Sequence, residues 1–250
     1  MAFGDMEWAE RNGGRISRLE RLGQIWEVMR FRIGQRVRRQ PSALGARAPE
    51  DVDRMIREVE LPRTELVERA AALVTEVGPD ALAGHAFRTC DWGSLLGMRD
   101  GLSWDKETFA LAALLHDLAL ARRDDRVGCF AADGAKQAVS LLEEWNVAEP
   151  LRRRIGDAIC LHVRIAVPPD LGVEAHLVHD GAGLDVVGRR LSEVEPELRR
   201  RVLERYPRGD LKGFLADFFV QEAEKHPESR MGLWVSSGFV DRIRRAPFEG

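Results

Sequence analysis

The sequence predicts an all-α protein. Apolar residues recur at helical spacings of three and four along most of the chain, and few segments show the alternation or the β-branched enrichment that is typical of strands. The segments between the periodic stretches are short, as a compact helical domain requires. The 250 residues suffice for one ordinary domain with an extension, or for two small domains.

The first 49 residues are predicted to form a separate amphipathic helical arm and linker. Six apolar residues recur there with arginines on the remaining faces, and the Pro, Gly and Ser content of residues 40 to 49 is typical of a linker. The favoured interpretation is an arm that packs on its own domain. The alternative is a membrane-surface or dimerisation helix, and for this reason a homo-oligomer stays a possible partner. The six residues are Leu19, Leu22, Trp26, Met29, Ile33 and Val37.

The helical domain is predicted to cover residues 50–225, with a tail at 226–250. Asp80 is a candidate N-cap, and Asp105 and Glu107 favour the start of a helix because they lie near its positive dipole end. Two amphipathic stretches, "PELRRRVLERY" and "GDLKGFLADFFVQEAEKH", close the domain. The earlier helices are predicted at 51–60, 64–78, 80–97, 103–122, 133–145, 150–163 and 173–190.

Composition and charge narrow the class of partner and the compartment. Charged residues make up 32% of the chain and the formal net charge is -3, which predicts a globular protein that does not bind nucleic acid. The three cysteines form no CxxC pair and indicate reduced thiols. Neither a signal peptide nor an apolar run of about 18 residues is found, so we expect a cytoplasmic protein without membrane insertion.

Four polar groups interrupt otherwise apolar helical stretches and define the candidate site. His116 and Asp117 stand together in "LAALLHDLAL", His85 lies in "ALAGHAFRT", and Asp185 lies in "GLDVVG". Such groups are costly to bury without partners, and imidazole nitrogen and carboxylate oxygen are the ligands that zinc and ferrous iron prefer. A divalent cation would satisfy them together, and a buried polar network without a metal is the alternative.

Five sequence blocks between about residues 64 and 190 resemble a known family in their order. They are "HAFRTCDWG", "LAALLHDLAL", "CFAADGAKQA", "ICLHV" and "HLVHDGAGLDVVG". With them the chain resembles the HD superfamily of metal-dependent hydrolases, and most closely its cyanamide hydratase-like branch. The resemblance implies an HD-domain helical bundle around one ion, expected to be zinc with iron as the alternative. The ligands it implies are His85, His116, Asp117 and Asp185.

The last of these ligands has a competitor in "VHDGAG". Asp180 and Asp185 are five residues apart, which places them about 140° apart around a helix, so only one can face the metal. Asp185 is preferred because small residues lie on its side of the helix and because "GLDVVG" resembles the family block. Asp180 is then a solvated or capping carboxylate, and His176 and His179 are partly exposed.

The predicted activity is attack by a metal-activated water on a small-molecule substrate, that is, a hydrolase or hydratase reaction. His162, at the end of an apolar helix stripe, is the predicted proton carrier, and Asp117 is counted as catalytic with it. Trp92 and Phe130 are expected to line the site around a small neutral substrate.

Three alternatives to this activity stay open. A phosphohydrolase acting on a nucleotide or another phosphate ester would use nearby arginines. A di-iron oxygenase would need about two further histidines, and His162 with His176 or His179 are the candidates. A non-catalytic ligand-binding module with a structural metal, or none, is the last alternative. The arginines considered for the phosphohydrolase are Arg88, Arg122, Arg123 and Arg164.

Overall fold

The computed structural model describes residues 2–37, 48–122 and 129–249, and these residues form helices with no strand among them. The predicted all-α class is confirmed. The helices are α1 (Met6–Asn12), α2 (Arg18–Val37), α3 (Pro49–Glu58), α4 (Glu65–Val77), α5 (Asp80–Arg99), α6 (Lys106–Leu115), α7 (Leu118–Arg122), α8 (Phe130–Glu144), α9 (Glu149–Leu161), α10 (Val173–Val187), α11 (Pro196–Arg205), α12 (Leu211–Lys225), α13 (Arg230–Ser236) and α14 (Phe239–Arg244).

Helices α5 and α10 form the most extensive helix pair, and α6 and α9 pack beside them. Two glycines allow α5 and α10 to approach closely. A Cβ atom on Gly181 would lie 2.4 Å from the carbonyl oxygen of Thr89, and one on Gly93 would lie 2.7 Å from that of Leu177. Because only glycine lacks this atom, the crossing can bring buried polar side chains of the two helices together.

The stretch predicted as one helix over 103–122 is interrupted in its middle. Asp105 caps α6 by accepting a hydrogen bond from the Thr108 amide at 2.7 Å, and α6 then runs through almost wholly buried residues to Leu115. His116 is the C-cap residue, and Asp117 begins the next turn, where its carbonyl accepts from the Leu120 amide at 2.9 Å. The His-Asp doublet therefore lies in the junction between α6 and α7.

The described part of the predicted N-terminal arm, residues 2–37, contains two helices. The chain is divided into α1 and α2, and α1 packs on α8 and α9. Trp8 and Met6 of α1 are buried in the hydrophobic core, so this part of the predicted arm packs on the domain. Most of the predicted linker at 40–49 lies outside the described residues.

The segment predicted as a C-terminal tail, 226–250, contains two short helices. Helices α13 and α14 pack on α12, and Met231, Val240 and Ile243 join the hydrophobic core. Ser229 caps α13 by accepting from the Gly232 amide at 3.1 Å. This segment is part of the domain, and its helices are too short to produce a clear periodic signal in the sequence.

Candidate metal centre

Three of the four predicted ligands come together in the core. His85 lies on α5, and His116 and Asp117 occupy the junction after α6. The Nε2 atoms of the two histidines are 3.2 Å apart, and Asp117 Oδ2 lies 3.5 Å from His85 Nε2 and 3.3 Å from His116 Nε2. All three residues are buried and could hold a metal ion together.

The hydrogen bonds of the other ring nitrogens fix which atoms face this group. His85 Nδ1 lies 2.8 Å from Asp185 Oδ2, and His116 Nδ1 lies 2.7 Å from the carbonyl oxygen of Ala113. A carboxylate and a carbonyl only accept, so both Nδ1 atoms donate. In the neutral imidazoles both Nε2 atoms therefore present a lone pair to the group.

The donor set fits a tetrahedrally coordinated ion. Ligand atoms about 2.0–2.1 Å from a tetrahedral ion lie about 3.3–3.4 Å from one another. The three separations between His85, His116 and Asp117 are 3.2, 3.3 and 3.5 Å. Two imidazole lone pairs and a carboxylate repel one another unless a cation lies among them, so this set of atoms suits a divalent ion.

Protonation can hold the group together when no metal is bound. Burial opposes a charged His116, but the Asp117 carboxylate outweighs burial and raises the pKa of His116. Burial would likewise raise the pKa of Asp117, and the positive field of His116 and its neighbours instead holds that pKa well below its usual range. The predicted polar network is thus the metal-free alternative for the same atoms.

Asp185 is not among these three, because it lies on the opposite side of His85. Its Oδ2 accepts from His85 Nδ1 at 2.8 Å and from Arg88 Nη2 at 3.0 Å. Its Oδ1 accepts from Arg88 Nε at 2.8 Å, Trp92 Nε1 at 3.0 Å and Arg208 Nη1 at 2.8 Å. This arrangement does not support Asp185 as a direct ligand, since its lone pairs are already engaged. It instead fixes the orientation of His85.

Burial would raise the pKa of Asp185, but Arg88 and His85 hold that pKa far below its usual range. The carboxylate is therefore an anion with all its charge compensated. Trp92 was expected to line the site and Arg88 was considered for phosphate binding. Both instead donate hydrogen bonds to the buried carboxylate of Asp185.

Asp180 is also remote from the group of three. Its Oδ2 accepts from Arg190 Nη1 at 2.5 Å and lies 3.6 Å from His176 Nε2, and Arg189 approaches its Oδ1 at 3.3 Å. The predicted solvated carboxylate is in fact buried and ion-paired. His179, expected to be partly exposed, is buried too, and its ring contacts Arg189.

His162 lies beside the candidate ligands, as expected of a proton carrier. Its Nδ1 donates to the carbonyl oxygen of Ile159 at 2.6 Å, which leaves the Nε2 lone pair 3.8 Å from Asp117 Oδ1. Burial, together with the positive field of His116, lowers the pKa of His162 to about 3. The imidazole is therefore neutral near pH 7, and its catalytic role stays a prediction.

The group lies on the wall of a cavity of about 1240 Å³. Much of the wall is apolar and comes from α12 to α14, which the sequence did not connect with the site. Phe130 lines the cavity as predicted, and so does Arg164, whereas Arg123 and the side chain of Arg122 lie outside the described residues. The large apolar wall residues from α12 to α14 are Leu215, Phe219, Met231, Trp234 and Phe239.

No protein-family model matches the chain, and no curated protein matches it either.

Proposed function

We propose that this protein is a metal-dependent hydrolase or hydratase acting on a small molecule. One observation carries the proposal: ligand atoms of His85, His116 and Asp117 lie within 4.8 Å of one another and open onto the large cavity. The resemblance to the HD superfamily, most closely to its cyanamide hydratase-like branch, points to the same chemistry. A bound zinc or ferrous ion would supply a water of lowered pKa and a Lewis acid.

The ligand count favours a catalytic site over a structural one. Structural zinc sites usually have four protein ligands, whereas catalytic sites have three and leave a position open. Among the described residues the group has three members, and it lines the large cavity. The open position would face the cavity, where a substrate can enter.

The chain's own residues supply orientation and proton transfer. Asp185 holds the His85 ring through Nδ1, and the Ala113 carbonyl does the same for His116, so both Nε2 atoms would face a bound ion. His162 Nε2 would accept a proton from the attacking water, because the ring is neutral and lies beside Asp117, and the protonated ring would then pass that proton to the leaving group.

A phosphohydrolase is the second candidate, and one observation favours it. Several arginines line the same cavity and would neutralise a phosphate group. They are Arg164, Arg189, Arg190, Arg242 and Arg245, and of these Arg189 and Arg190 already contact Asp180.

The dinuclear oxygenase is less well supported. His162 and His179 both line the cavity, but the guanidinium of Arg189 contacts the His179 ring, and a cation at that position disfavours a second metal ion.

The test is metal analysis followed by activity measurements. Protein purified without added metal should carry about one equivalent of zinc or iron, and it should hydrolyse or hydrate members of a panel of nitriles, amides and phosphate esters. His116→Ala should lose both metal and activity, while His226→Ala, which changes a histidine outside the cavity, should keep both. A protein that binds neither zinc nor ferrous iron would overturn the proposal, and turnover of phosphate esters alone would select the second candidate.

A further inference from the structure

Helix α2 turns its polar face toward the rest of the protein. Gln24 is only 9% exposed, and its Nε2 donates to Glu27 at 3.2 Å. Glu20 accepts from the indole nitrogen of the buried Trp8 at 2.7 Å and from the Ser17 hydroxyl at 2.6 Å. Both glutamates of the helix are therefore only partly exposed, on the side that contacts the domain.

The opposite face of α2 is apolar and open to solvent. Leu19 is 82% exposed, Leu22 65%, Trp26 60% and Met29 45%. Their spacing of three, four and three residues places them in one stripe, and Leu22 and Trp26 each lie about 160° around the helix from Gln24. An amphipathic helix that packs on its own domain buries this stripe. Here the stripe is exposed, so α2 contacts the domain through its polar face and not through its apolar stripe.

The charge of the segment indicates what the stripe contacts. Residues 15–39 contain eight arginines and two glutamates, with no lysine or aspartate. Arg18, Leu19 and Leu22 are all exposed, so basic and apolar groups share the outer side of the helix. Leucine and tryptophan on a face bordered by arginine are typical of helices that lie in the interface of an anionic bilayer.

Charge also argues against two other partners for the stripe, a second copy of this chain and a nucleic acid. A second copy docked through the same stripe would bring two arginine-rich segments together, which is electrostatically unfavourable. Nucleic acid would satisfy the arginines but would leave Leu22 and Trp26 in water. An anionic membrane satisfies both groups. None of the helices that the structure describes has the length and apolar character needed to span a bilayer, so the contact is adsorption of α2 at the surface.

Helix α2 lies next to the cavity of the candidate metal centre. A small cleft contains Gln24 of α2 together with Val163, Ile165, Trp234 and Ser237, and these last four residues also line the large cavity. We infer that the exposed face of α2 binds the protein to anionic membrane surfaces and holds this cavity close to the lipid.

The test is cosedimentation of the full-length protein with lipid vesicles. Wild type should sediment with phosphatidylcholine vesicles that contain phosphatidylglycerol, and not with phosphatidylcholine alone. High salt should weaken the binding. Leu22→Glu should reduce the partition coefficient by at least about tenfold, since a fully buried leucine side chain is worth more than that factor. Gln221→Glu makes the same change of charge at an exposed site on α12 and should bind like wild type.

Tryptophan fluorescence gives a second measurement. Anionic vesicles should shift the emission of wild type to shorter wavelength, and Trp26→Phe should bind without that shift. His116→Ala should bind vesicles normally, because adsorption does not need the metal centre, so failure of the proposed function leaves this inference intact. Equal binding to neutral vesicles, no binding, or binding unchanged by Leu22→Glu would overturn it. A wild-type dimer that Leu22→Glu dissociates, without vesicle binding, would assign the face to a second copy.

Discussion

Two buried aspartates lie on opposite sides of the His85 ring and have opposite surroundings. Asp185 faces Nδ1 at 2.8 Å and accepts further hydrogen bonds from Arg88, Trp92 and Arg208. Asp117 lies 3.5 Å from Nε2, and its ion-pair contacts with described residues are all to imidazoles. The charge of Asp185 is compensated by hydrogen-bond donors of the protein, whereas Asp117 lies beside histidine Nε2 atoms that carry lone pairs when the rings are neutral.

The difference separates a structural carboxylate from a ligand. A buried anion whose lone pairs are all occupied stabilises the fold and has nothing left for a metal. A group of acceptors that opens onto a cavity can instead take a cation from outside, as an alternative to a proton on His116. Both residues are buried aspartates, so only the hydrogen-bond donors around each carboxylate distinguish the structural one from the candidate ligand.

The largest expected effect comes from removing the carboxylate that lacks fixed donors. Asp117→Ala should lower zinc affinity by about a thousandfold or more, since an anionic ligand provides a large share of the binding free energy at such sites. Activity should be lost with the metal. The free energy of unfolding of the chelator-treated protein should change by less than about 2 kcal/mol. Calorimetric zinc titration and urea unfolding measure the two effects, and full metal occupancy in Asp117→Ala would contradict the assignment.

Asp185→Ala should show the reverse pattern. The guanidinium groups of Arg88 and Arg208 would be left without their buried anion, at a cost of about 3–5 kcal/mol in the free energy of unfolding. Zinc affinity should fall by only about 10- to 100-fold, because His85 loses its orientation but remains a ligand. Asp180→Ala should keep the metal. If Asp185→Ala kept wild-type stability and lost the metal entirely, Asp185 would be the direct ligand that the family resemblance implied.

A smaller effect is expected at His162, which touches the group without belonging to it. His162→Gln should keep one equivalent of metal and lower the turnover number by about a hundredfold, because the proton acceptor beside Asp117 is lost. His176→Gln is the matched control, since His176 lies outside the residues that line the cavity. Loss of metal in His162→Gln would move His162 into the ligand set.

The last prediction concerns a third buried carboxylate, Asp91, which has neither the fixed donors of Asp185 nor the histidine neighbours of Asp117. It lies on α5, and its Oδ2 has no hydrogen-bond partner among the described residues. Burial, together with the nearby Glu60, raises its pKa from 3.8 to about 7. Because the folded-state pKa is the higher one, the stabilising contribution of Asp91 is complete below about pH 4 and is lost as the pH rises to about 7.

Asp91→Asn should remove this pH dependence and raise the free energy of unfolding at pH 8, because no charged carboxylate is then buried at this position. Urea unfolding between acidic and alkaline pH, with wild type measured in parallel, tests the expectation. A wild-type difference that persists unchanged in Asp91→Asn would show that another group titrates.

The sequence predicted the centre of the site better than its periphery. His85, His116 and Asp117 were identifiable because each interrupts an apolar helical stretch. Asp185 stands out in the same way, and nothing local distinguishes it from a ligand, because the arginines that engage it are 97 and 23 residues away. Partners so distant along the chain are set by tertiary packing and leave no periodic signal.

The termini were the least predictable parts of the fold. Trp8 of α1 is buried although its helix has only seven residues, and α13 and α14 are similarly short. The amphipathic pattern of α2 correctly predicted a helix but not which face contacts the domain. Periodicity identifies an apolar face, whereas its partner depends on surfaces elsewhere in the chain.

The close crossing at Gly93 and Gly181 makes the orientation of the His85 ring depend on how closely the backbones of α5 and α10 approach each other. Gly181 lies one turn before Asp185 on the same face of α10, so anything that lifts α10 from α5 at the glycine also pulls the carboxylate away from the ring it steers. A single methyl group added at either glycine would push the two helices apart. The candidate metal site could then lose its geometry through a change about a helix turn away, although none of its polar side chains would be replaced.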